Sequence, residues 1–588
     1  MYRPYTYRPP KFQPADLEKR RRVLLGCMLG GMALLVLRSV DLQVLERNFL
    51  QEKAVLQHVD MLSVSAYRGK ILDRNGEPLA VSSPVQSIWT NPQELNAEEI
   101  EQLQKAEKIL GLPAGKITQL LNSDPKRRFA YIARKIDPQL ASKVKDLGLA
   151  GVYFEREFKR YYPAGAISAQ LVGFTDLNDV GQEGVELGFE DILKESPGKQ
   201  RVIKDGIRRV IAEVESVKEP LDGQDLQLSI DQRLQYLAFR ELQATLVENQ
   251  AKAVTMVVLD AKTGEILAAA NQPSFNPNTR KHPKGTVFKN QAITDVFEPG
   301  STVKPFVVAA ALDGDYVDPH IEIETHGSMA IGQHMVKDVH NYGTLTLTEA
   351  LKKSSNVAAS KIALQMPPKY FWEVYHNLGF GVAPNIGFPG EARGSLSDYH
   401  QWHAFDQAIV SFGYGVSSSI LQLARAYTAL ADDGMLHSVS LLKRDTDEQA
   451  KRVFSVKTAR QVRDMLETVV MRDGTAYQAR VDGYRVAGKT GTVKKLNPGG
   501  GYTEDKYLGV FVGMAPASDP RLVIAVMVDE PGAGKYYGGL VAAPAFSRVM
   551  TGALRIMGVA PDQEESMPIL LDSKAATDKA ATDKKVPT

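Results

Sequence analysis

The apolar pattern opens with an uncharged run from Val23 to Leu37, directly behind a basic stretch. Residues 1 to 22 hold Arg3, Arg8, Lys11, Lys19, Arg20, Arg21 and Arg22 against Asp16 and Glu18. Fifteen helical residues reach about 22 Å, short of a hydrocarbon core of about 30 Å. The pattern therefore predicts a helix that continues through Arg38 toward Leu45, a membrane anchor over residues 23–45. A cleaved secretory signal is the alternative, but no small-x-small site follows and Leu37-Arg38-Ser39-Val40-Asp41 reads on as helix. The basic excess keeps the tail 1–22 cytoplasmic and places everything after about residue 46 outside.

Helical spacing persists from Glu46 to Val59, and from Met61 it gives way to short extended runs broken by glycine and proline. Asn75-Gly76 between Ile71-Leu72 and Pro78-Leu79 predicts a hairpin. Helices are predicted around Ala97 to Leu110 and Pro138 to Leu147, followed by a glycine-rich stretch from Arg160 to Glu186. From Asp222 the elements lengthen. Leu226 to Ile230 reads as a strand, and Asp231 caps a helix running to about Asn249. Thr255 to Asp260 and Glu265 to Ala270 form a hairpin around Gly264, and Leu508 to Ala515 pairs with Leu522 to Asp529. Ile420 to Ala431 has the spacing of an amphipathic helix. Strands at both ends with helices between them predict one α+β unit over residues 222–560. Residues 46–221 read as a mixed α/β pedestal without an obvious catalytic site. Residues 561–588, with Ala575-Ala-Thr-Asp-Lys579 repeated as Ala580-Ala-Thr-Asp-Lys584, read as a disordered tail.

Composition narrows the class. The chain has 588 residues, 44% hydrophobic and 24% charged, so most of it folds in water and a polytopic membrane protein is excluded. With 71 basic against 69 acidic residues, nothing predicts nucleic-acid binding. Cys27, the single cysteine, rules out an intramolecular disulfide or a zinc ribbon. For His400-x-x-His403 and the stretch from His334 to His340, no neighbouring Glu or Asp reads as completing a ligand set, so no metal and no cofactor are expected.

An activated serine needs a base within reach, and a lysine three residues on along a helix shares its face. Ser-x-x-Lys occurs five times: Ser123/Lys126, Ser142/Lys145, Ser196/Lys199, Ser301/Lys304 and Ser440/Lys443. Ser196-Pro-Gly-Lys199 reads as a turn and Ser123-Asp-Pro-Lys126 as a helix end. Ser301 differs, because Glu298-Pro299-Gly300 stops the chain, Ser301 opens a helix, and Lys304 to Leu312 makes that helix largely apolar. Burial there lowers a lysine pKa toward that of a usable base. The helix N-terminus offers free N–H groups to developing negative charge. Two companions follow in order. Ser354-Ser355-Asn356 starts the apolar pattern Val357 to Leu364, and Lys489-Thr490-Gly491-Thr492 ends a strand-like Tyr484 to Ala487. Lys262-Thr263-Gly264 and Ser274-Phe275-Asn276 repeat the same short texts upstream; Lys262 falls in a tight turn and reads as a solvated side chain.

This ordered trio resembles that of penicillin-binding proteins and serine β-lactamases. The blocks Asp295 to Pro305, Ser411-Phe412-Gly413-Tyr414-Gly415 and Val486 to Thr492 resemble those of the monofunctional class B transpeptidases, and Arg68 to Gly76 and Arg160 to Glu186 resemble their pedestal. The likeness covers roughly residues 20 to 555 and is greatest to the cell-division, FtsI-type penicillin-binding protein 3 branch. It implies a transpeptidase domain with a central antiparallel sheet flanked by helices.

The resemblance implies that Ser301 is acylated by a stem peptide ending in D-Ala-D-Ala, with Lys304 taking its proton and the N–H groups of Ser301 and Thr492 forming an oxyanion hole. Ser354 would relay the proton with Lys304 and Lys489, Asn356 would bind a substrate amide, and Thr490, Gly491 and Thr492 would form the carboxylate-binding edge. Tyr414 and Tyr536 would line the cleft by the same analogy, with core packing the alternative. Read from its residues alone, Gly413-Tyr414-Gly415 is explained by the geometry of chain entering a helix. The implied ligands are peptidoglycan stem peptides and β-lactams. The implied partners are the SEDS-type polymerase FtsW with FtsQ, FtsL, FtsB and FtsN, at the division septum of the inner membrane with the catalytic part in the periplasm. An elongation-specific transpeptidase and a division scaffold with incidental catalysis remain the alternatives; a β-lactamase has no use for the pedestal.

Overall fold

The computed structural model describes residues 4–7, 14–48, 59–124, 127–149, 151–204, 210–279, 286–444, 450–497 and 500–563. The expected tail beyond residue 563, most of the helical spacing between Glu46 and Val59, and Arg3, Arg8, Lys11 and Lys126 lie outside those residues. The chain divides into two compact units, residues 1–66 with 195–221, and residues 67–194 with 222–588.

The smaller unit contains a helix over Pro14–Val40 that continues into a π-helical turn over Asp41–Leu45. Residues Glu18 to Leu45 are long and apolar enough to cross a membrane. Arg38 pairs with Asp41 one turn on, so the charges that interrupt the apolar run neutralise each other. The same unit holds an antiparallel sheet in which Gly198–Lys204 lies between Val59–Val64 and Val210–Lys218.

In the larger unit, residues 67–194 build a second sheet around the long strand Pro78–Thr90, paired with Ala130–Ile136 on one edge and Val152–Tyr161 along much of its length. The Asn75-Gly76 hairpin forms as expected: the Asp73 carboxylate accepts from Asn75 N at 2.7 Å, and Gly76 takes φ +88°. The helices Ala97–Leu110 and Pro138–Lys145 sit where periodicity puts them. The first carries a capping box between Asn96 and Glu99, and Asp137 caps the second. Of the expected strand Leu226 to Ile230, only Leu226–Gln227 pairs as strand, parallel to Ile71–Leu72.

The central sheet has five antiparallel strands in the order Ile266–Gln272, Ala253–Asp260, Leu522–Asp529, Tyr502–Ala515, Ala487–Leu496. All eight residues of Ala253–Asp260 are buried. Both faces of the sheet are therefore covered, which is why these strands read as continuous apolar runs. Helices Gln232–Glu248 and Ala543–Ile556 pack on each other and on the sheet, as do Ile420–Ala431 and Val456–Glu467. Ile420–Ala431 corrects the amphipathic expectation. All its residues but Arg425 are buried, because the sheet and neighbouring helices surround it. Ala487–Leu496 is the edge strand and lies against the turn Gly300–Val303, where the Ser301 motif begins.

Candidate active site

The serine turn is built from glycine and proline. Pro299 has φ −69°, Gly300 takes φ +56°, and a 3-10 turn over Gly300–Val303 leads into the α-helix Lys304–Asp313. Every residue of that helix from Lys304 to Leu312 is buried. Tyr427 from the buried helix behind donates to the Thr302 carbonyl at 2.7 Å and fixes the start of the turn.

Ser354 lies at a corner between two helices, Leu347–Lys353 and Asn356–Ala363. It has φ +61°, a left-handed conformation disfavoured for a residue with a Cβ and tolerated where surrounding structure enforces it. Ser355 N donates to the Ala350 carbonyl at 3.0 Å, and the Ser355 hydroxyl accepts from Ala358 N at 3.0 Å, which starts the second helix. That helix places Asn356 beside Lys304.

The Lys489 motif corrects the expected strand boundary. The strand begins at Ala487 and runs through Lys489-Thr490-Gly491-Thr492 to Leu496 instead of ending before them. Its two glycines look like breakers, yet each stands where a Cβ has no room. At Gly488 a Cβ would lie 2.5 Å from Phe511 Cζ, and at Gly491 it would lie 2.9 Å from Thr302 Cγ2 and 3.1 Å from the Pro299 carbonyl. Gly491 thus lets the edge strand close on the serine turn.

The three motifs meet at one hydroxyl. Lys304 Nζ donates to the Ser354 carbonyl at 2.6 Å and to Asn356 Oδ1 at 2.7 Å, and lies 3.3 Å from Ser354 Oγ. Lys489 Nζ reaches the same Oγ at 2.9 Å, across 135 residues of sequence. Both lysines are buried, at 1% and 0% exposure, and among the described residues no hydrogen-bonded carboxylate offsets either. Burial, reinforced by the Lys489 charge and opposed by Asp338, holds Lys304 well below the ordinary lysine pKa. Burial pushes Lys489 down to about 7.

Thr490 and Thr492 alternate with Lys489 and Gly491 and so share the other face of the strand. The hydroxyls of Thr490 and Thr475 are hydrogen-bonded at 3.0 Å, and Thr492 Oγ1 accepts from Gly538 N at 3.1 Å. Tyr536 stacks on Tyr507 at 4.3 Å and on Tyr537 at 4.6 Å, two residues before that Gly538 contact. Tyr414 meets Tyr502 edge to face at 5.6 Å. Among the described residues no hydrogen bond holds the Ser301 side chain.

Gly413 has a different role from the expected one. The helix Ile420–Ala431 starts after Ser419, well beyond Gly415. Gly413 instead crosses the serine turn: its carbonyl accepts from Gly300 N at 3.2 Å, its φ is +82°, and a Cβ there would lie 2.2 Å from the Gly300 carbonyl oxygen. Sequence reasoning missed Asp338 altogether. Its carboxylate accepts from Asn356 N at 2.5 Å, Val357 N at 3.1 Å and the Ser355 hydroxyl at 2.6 Å, while Asn356 Nδ2 donates to the Lys337 carbonyl at 3.0 Å. Asp338 therefore caps the helix that carries Asn356, and the neighbouring Lys337 carbonyl, by holding Nδ2, turns the Asn356 oxygen toward Lys304. No local signal marks it, since it closes a hairpin (Ser328–Ile331 with His334–Lys337) 18 residues before Asn356. The upstream Lys262 sits in its turn, ion-paired with Asp432 at 3.0 Å and Asp519 at 2.7 Å, away from this network.

Residues 254–551 match the penicillin-binding protein transpeptidase domain, and residues 63–228 match the penicillin-binding protein dimerisation domain. A probable peptidoglycan D,D-transpeptidase PenA of Neisseria meningitidis is 42% identical over 530 residues, covering 90% of this chain and 91% of the relative. The peptidoglycan D,D-transpeptidase FtsI of Escherichia coli is 41% identical over 547 residues, 92% of each. Among solved structures, the transpeptidase domain of penicillin-binding protein 3 from Burkholderia pseudomallei aligns with a TM-score of 0.53 at 44% identity, covering 57% of this chain and 98% of that one. Two matching domains in this order, with relatives alike along nine-tenths of their length, mean that the chain belongs to the class B penicillin-binding protein transpeptidases.

Proposed function

We propose that the chain is a peptidoglycan D,D-transpeptidase of the division septum in which Ser301 is the acylated nucleophile. The observation that carries this reading is the convergence of Lys304 and Lys489 on Ser354 Oγ beside the serine turn. A neutral Lys304 has two N–H bonds, which suit its two short contacts to the Ser354 carbonyl and Asn356 Oδ1. Its lone pair is then free to take a proton. In the first half-reaction Ser301 Oγ attacks the penultimate D-alanine carbonyl of the donor and passes its proton to Lys304. The C–N bond breaks, and the departing D-alanine amine receives a proton relayed through Ser354 Oγ between the two lysines. The N–H groups of Ser301 and Thr492 hold the oxyanion, a type of contact worth roughly 3 to 4 kcal/mol of barrier.

The edge position of Ala487–Leu496 suits an extended peptide adding alongside it, with Thr490 and Thr492 at the terminal carboxylate under the Lys489 charge. One N–H of Asn356 Nδ2 goes to Lys337 and leaves the second for a substrate amide carbonyl. In the second half-reaction an amine of another stem peptide attacks the ester, which forms the cross-link and frees Ser301. A β-lactam acylates the same serine but leaves a group that the acceptor amine does not displace. Tyr414 and Tyr536 line the approach to the cleft.

The Glu18 to Leu45 helix serves as an inner-membrane anchor with the basic tail in the cytoplasm and the remainder in the periplasm. Residues 46–221 act as the pedestal for partner contacts with FtsW, FtsQ, FtsL, FtsB and FtsN, and residues 222–560 as the catalytic domain. The test is peptide mapping by mass spectrometry of the full chain after exposure to penicillin, beside Ser301→Ala. A single penicilloyl adduct on the peptide containing Ser301, absent from the variant, is the expected result; an adduct elsewhere, or none on folded protein, overturns the assignment. Depletion giving filaments rather than rounded cells separates division from elongation. Division supported by Ser301→Ala would favour the scaffold reading.

A further inference from the structure

Glu298 is about nine-tenths buried three residues before Ser301. Its carboxylate accepts from Gly415 N at 2.9 Å through Oε1 and from the Tyr502 hydroxyl at 2.9 Å through Oε2. Among the described residues no lysine or arginine pairs with it. A buried charge is costly unless its hydrogen bonds are good, so this carboxylate is tolerated for what it holds together.

It joins three segments. The first is its own, which Pro299 and the left-handed Gly300 link stiffly to Ser301. The second is the loop 411–415, whose Gly413 carbonyl accepts from Gly300 N. The third is the strand Tyr502–Ala515, which pairs with the strand carrying Lys489 to Thr492, so that Thr492 lies opposite Gly509. The groups that act on the reacting carbonyl are divided between the first segment, with the Ser301 hydroxyl and N–H, and the strand paired with the third, with the Thr492 N–H. Gly300 and Val493 already touch, since a Cβ on Gly300 would lie 2.6 Å from Val493 Cγ2, but that contact is apolar and sets no direction. The hydrogen bond from Tyr502 does. Tyr502 is 43% exposed and its ring is braced edge to face by Tyr414, with the hydroxyl bond to Glu298 as its inner attachment.

We infer that Glu298 is a positioning residue of acylation, holding the serine turn, the Gly413 crossing and the Lys489 hairpin in one register, with Tyr502 as its clasp on the hairpin. This rests on the acyl-serine reading above. Losing the tie displaces donors that act on the transition state, so it slows the bond-forming step more than it weakens initial binding.

The test is stopped-flow acylation of the full chain in detergent by a fluorescent penicillin, which separates the dissociation constant of the non-covalent complex from the acylation rate. Glu298→Ala is expected to lower the rate about 10- to 100-fold with less than threefold change in the dissociation constant. Glu298→Gln, whose amide oxygen still accepts from Gly415 and whose N–H can meet the Tyr502 oxygen, restores the rate to within about fivefold of wild type. Tyr502→Phe, which removes one oxygen and keeps the ring, lowers the rate about three- to tenfold and decides the matter if the alanine variant does not fold. An unchanged rate in Tyr502→Phe, or a glutamine variant as slow as the alanine one, overturns the inference. A wild-type chain that takes no label at all would instead remove the acyl-serine reading on which it rests.

Discussion

Two places in the larger unit bury cations, with opposite results. Around residue 186, Arg68 Nε meets Glu186 at 2.8 Å, Arg160 Nε meets the other oxygen of Glu186 at 2.7 Å, and Arg68 also reaches Glu190 at 2.7 Å. Burial alone would lower the Arg68 pKa, but Glu186 and Glu190 outweigh it and hold the guanidinium charged. At the serine site Lys304 and Lys489 are as deeply buried, yet their hydrogen-bonded neighbours are neutral oxygens of Ser354, Asn356 and Thr490. Burial there lowers both lysines. A buried cation hydrogen-bonded to carboxylates stays charged, and one hydrogen-bonded only to neutral oxygens is pushed toward its neutral form. The choice of arginine for the first and lysine for the second follows, since a guanidinium does not give up its proton in a protein.

The strongest way to break this comparison is to exchange the roles. Lys304→Arg puts a permanent cation where a proton acceptor is needed, and acylation by penicillin should fall about 10³- to 10⁴-fold, while the thermal midpoint shows that the protein still folds. The converse removes the arginines' counter-ion. Glu186→Ala leaves Arg68 and Arg160 buried with less compensation and should cost about 3 to 5 kcal/mol of stability in denaturant unfolding. The folded fraction should still acylate normally, because Glu186 takes no part in the serine network.

A smaller effect sharpens the electrostatics. The Lys489 charge depresses Lys304, so Lys489→Met should raise the Lys304 pKa and move the acid limb of the acylation profile to higher pH, besides slowing the reaction. A limb that stays put or moves down would show that the two ammonium groups do not feel each other. Least of all, Arg68→Lys should remain charged beside Glu186 and lose only about 1.5 kcal/mol through its missing second donor, visible as a modest drop in thermal midpoint.

The legible and illegible parts divide along the same physical line. Periodicity and local chemistry located the long N-terminal apolar helix, the Asn75-Gly76 hairpin, the Asp231-capped helix and the paired strands of the central sheet, because neighbours in sequence decide them. The order of Ser301, Ser354 and Lys489 pointed to one site, and the structure brings Lys304, Ser354, Asn356 and Lys489 into direct contact. What escaped depends on residues far along the chain. Gly488 and Gly491 look like strand breakers until Phe511 and Thr302 are seen against them, and Gly413 resembles a helix-entry glycine until Gly300 is seen beneath it. Asp338 and Glu298 matter through partners 18 and 117 or more residues away. Nor does any local pattern show residues 67–194 packing into one compact unit with the catalytic part, where Tyr162 N donates to Asn278 at 3.0 Å and Gln170 donates to the Pro273 carbonyl at 2.9 Å.

The central claim of the proposed mechanism is that Lys304 serves as a neutral base because it is buried with only neutral hydrogen-bond partners, and the pH dependence of Ser301 acylation by a fluorescent penicillin tests it most directly. A lysine lowered well below its ordinary value gives up its proton at a lower pH than an exposed lysine does. The rate should therefore level off well below the ordinary lysine value of 10.5 and fall tenfold per unit only below the depressed pKa. A rate that keeps climbing tenfold per unit toward pH 10 would mean that Lys304 titrates as an ordinary, charged lysine, and would contradict the account.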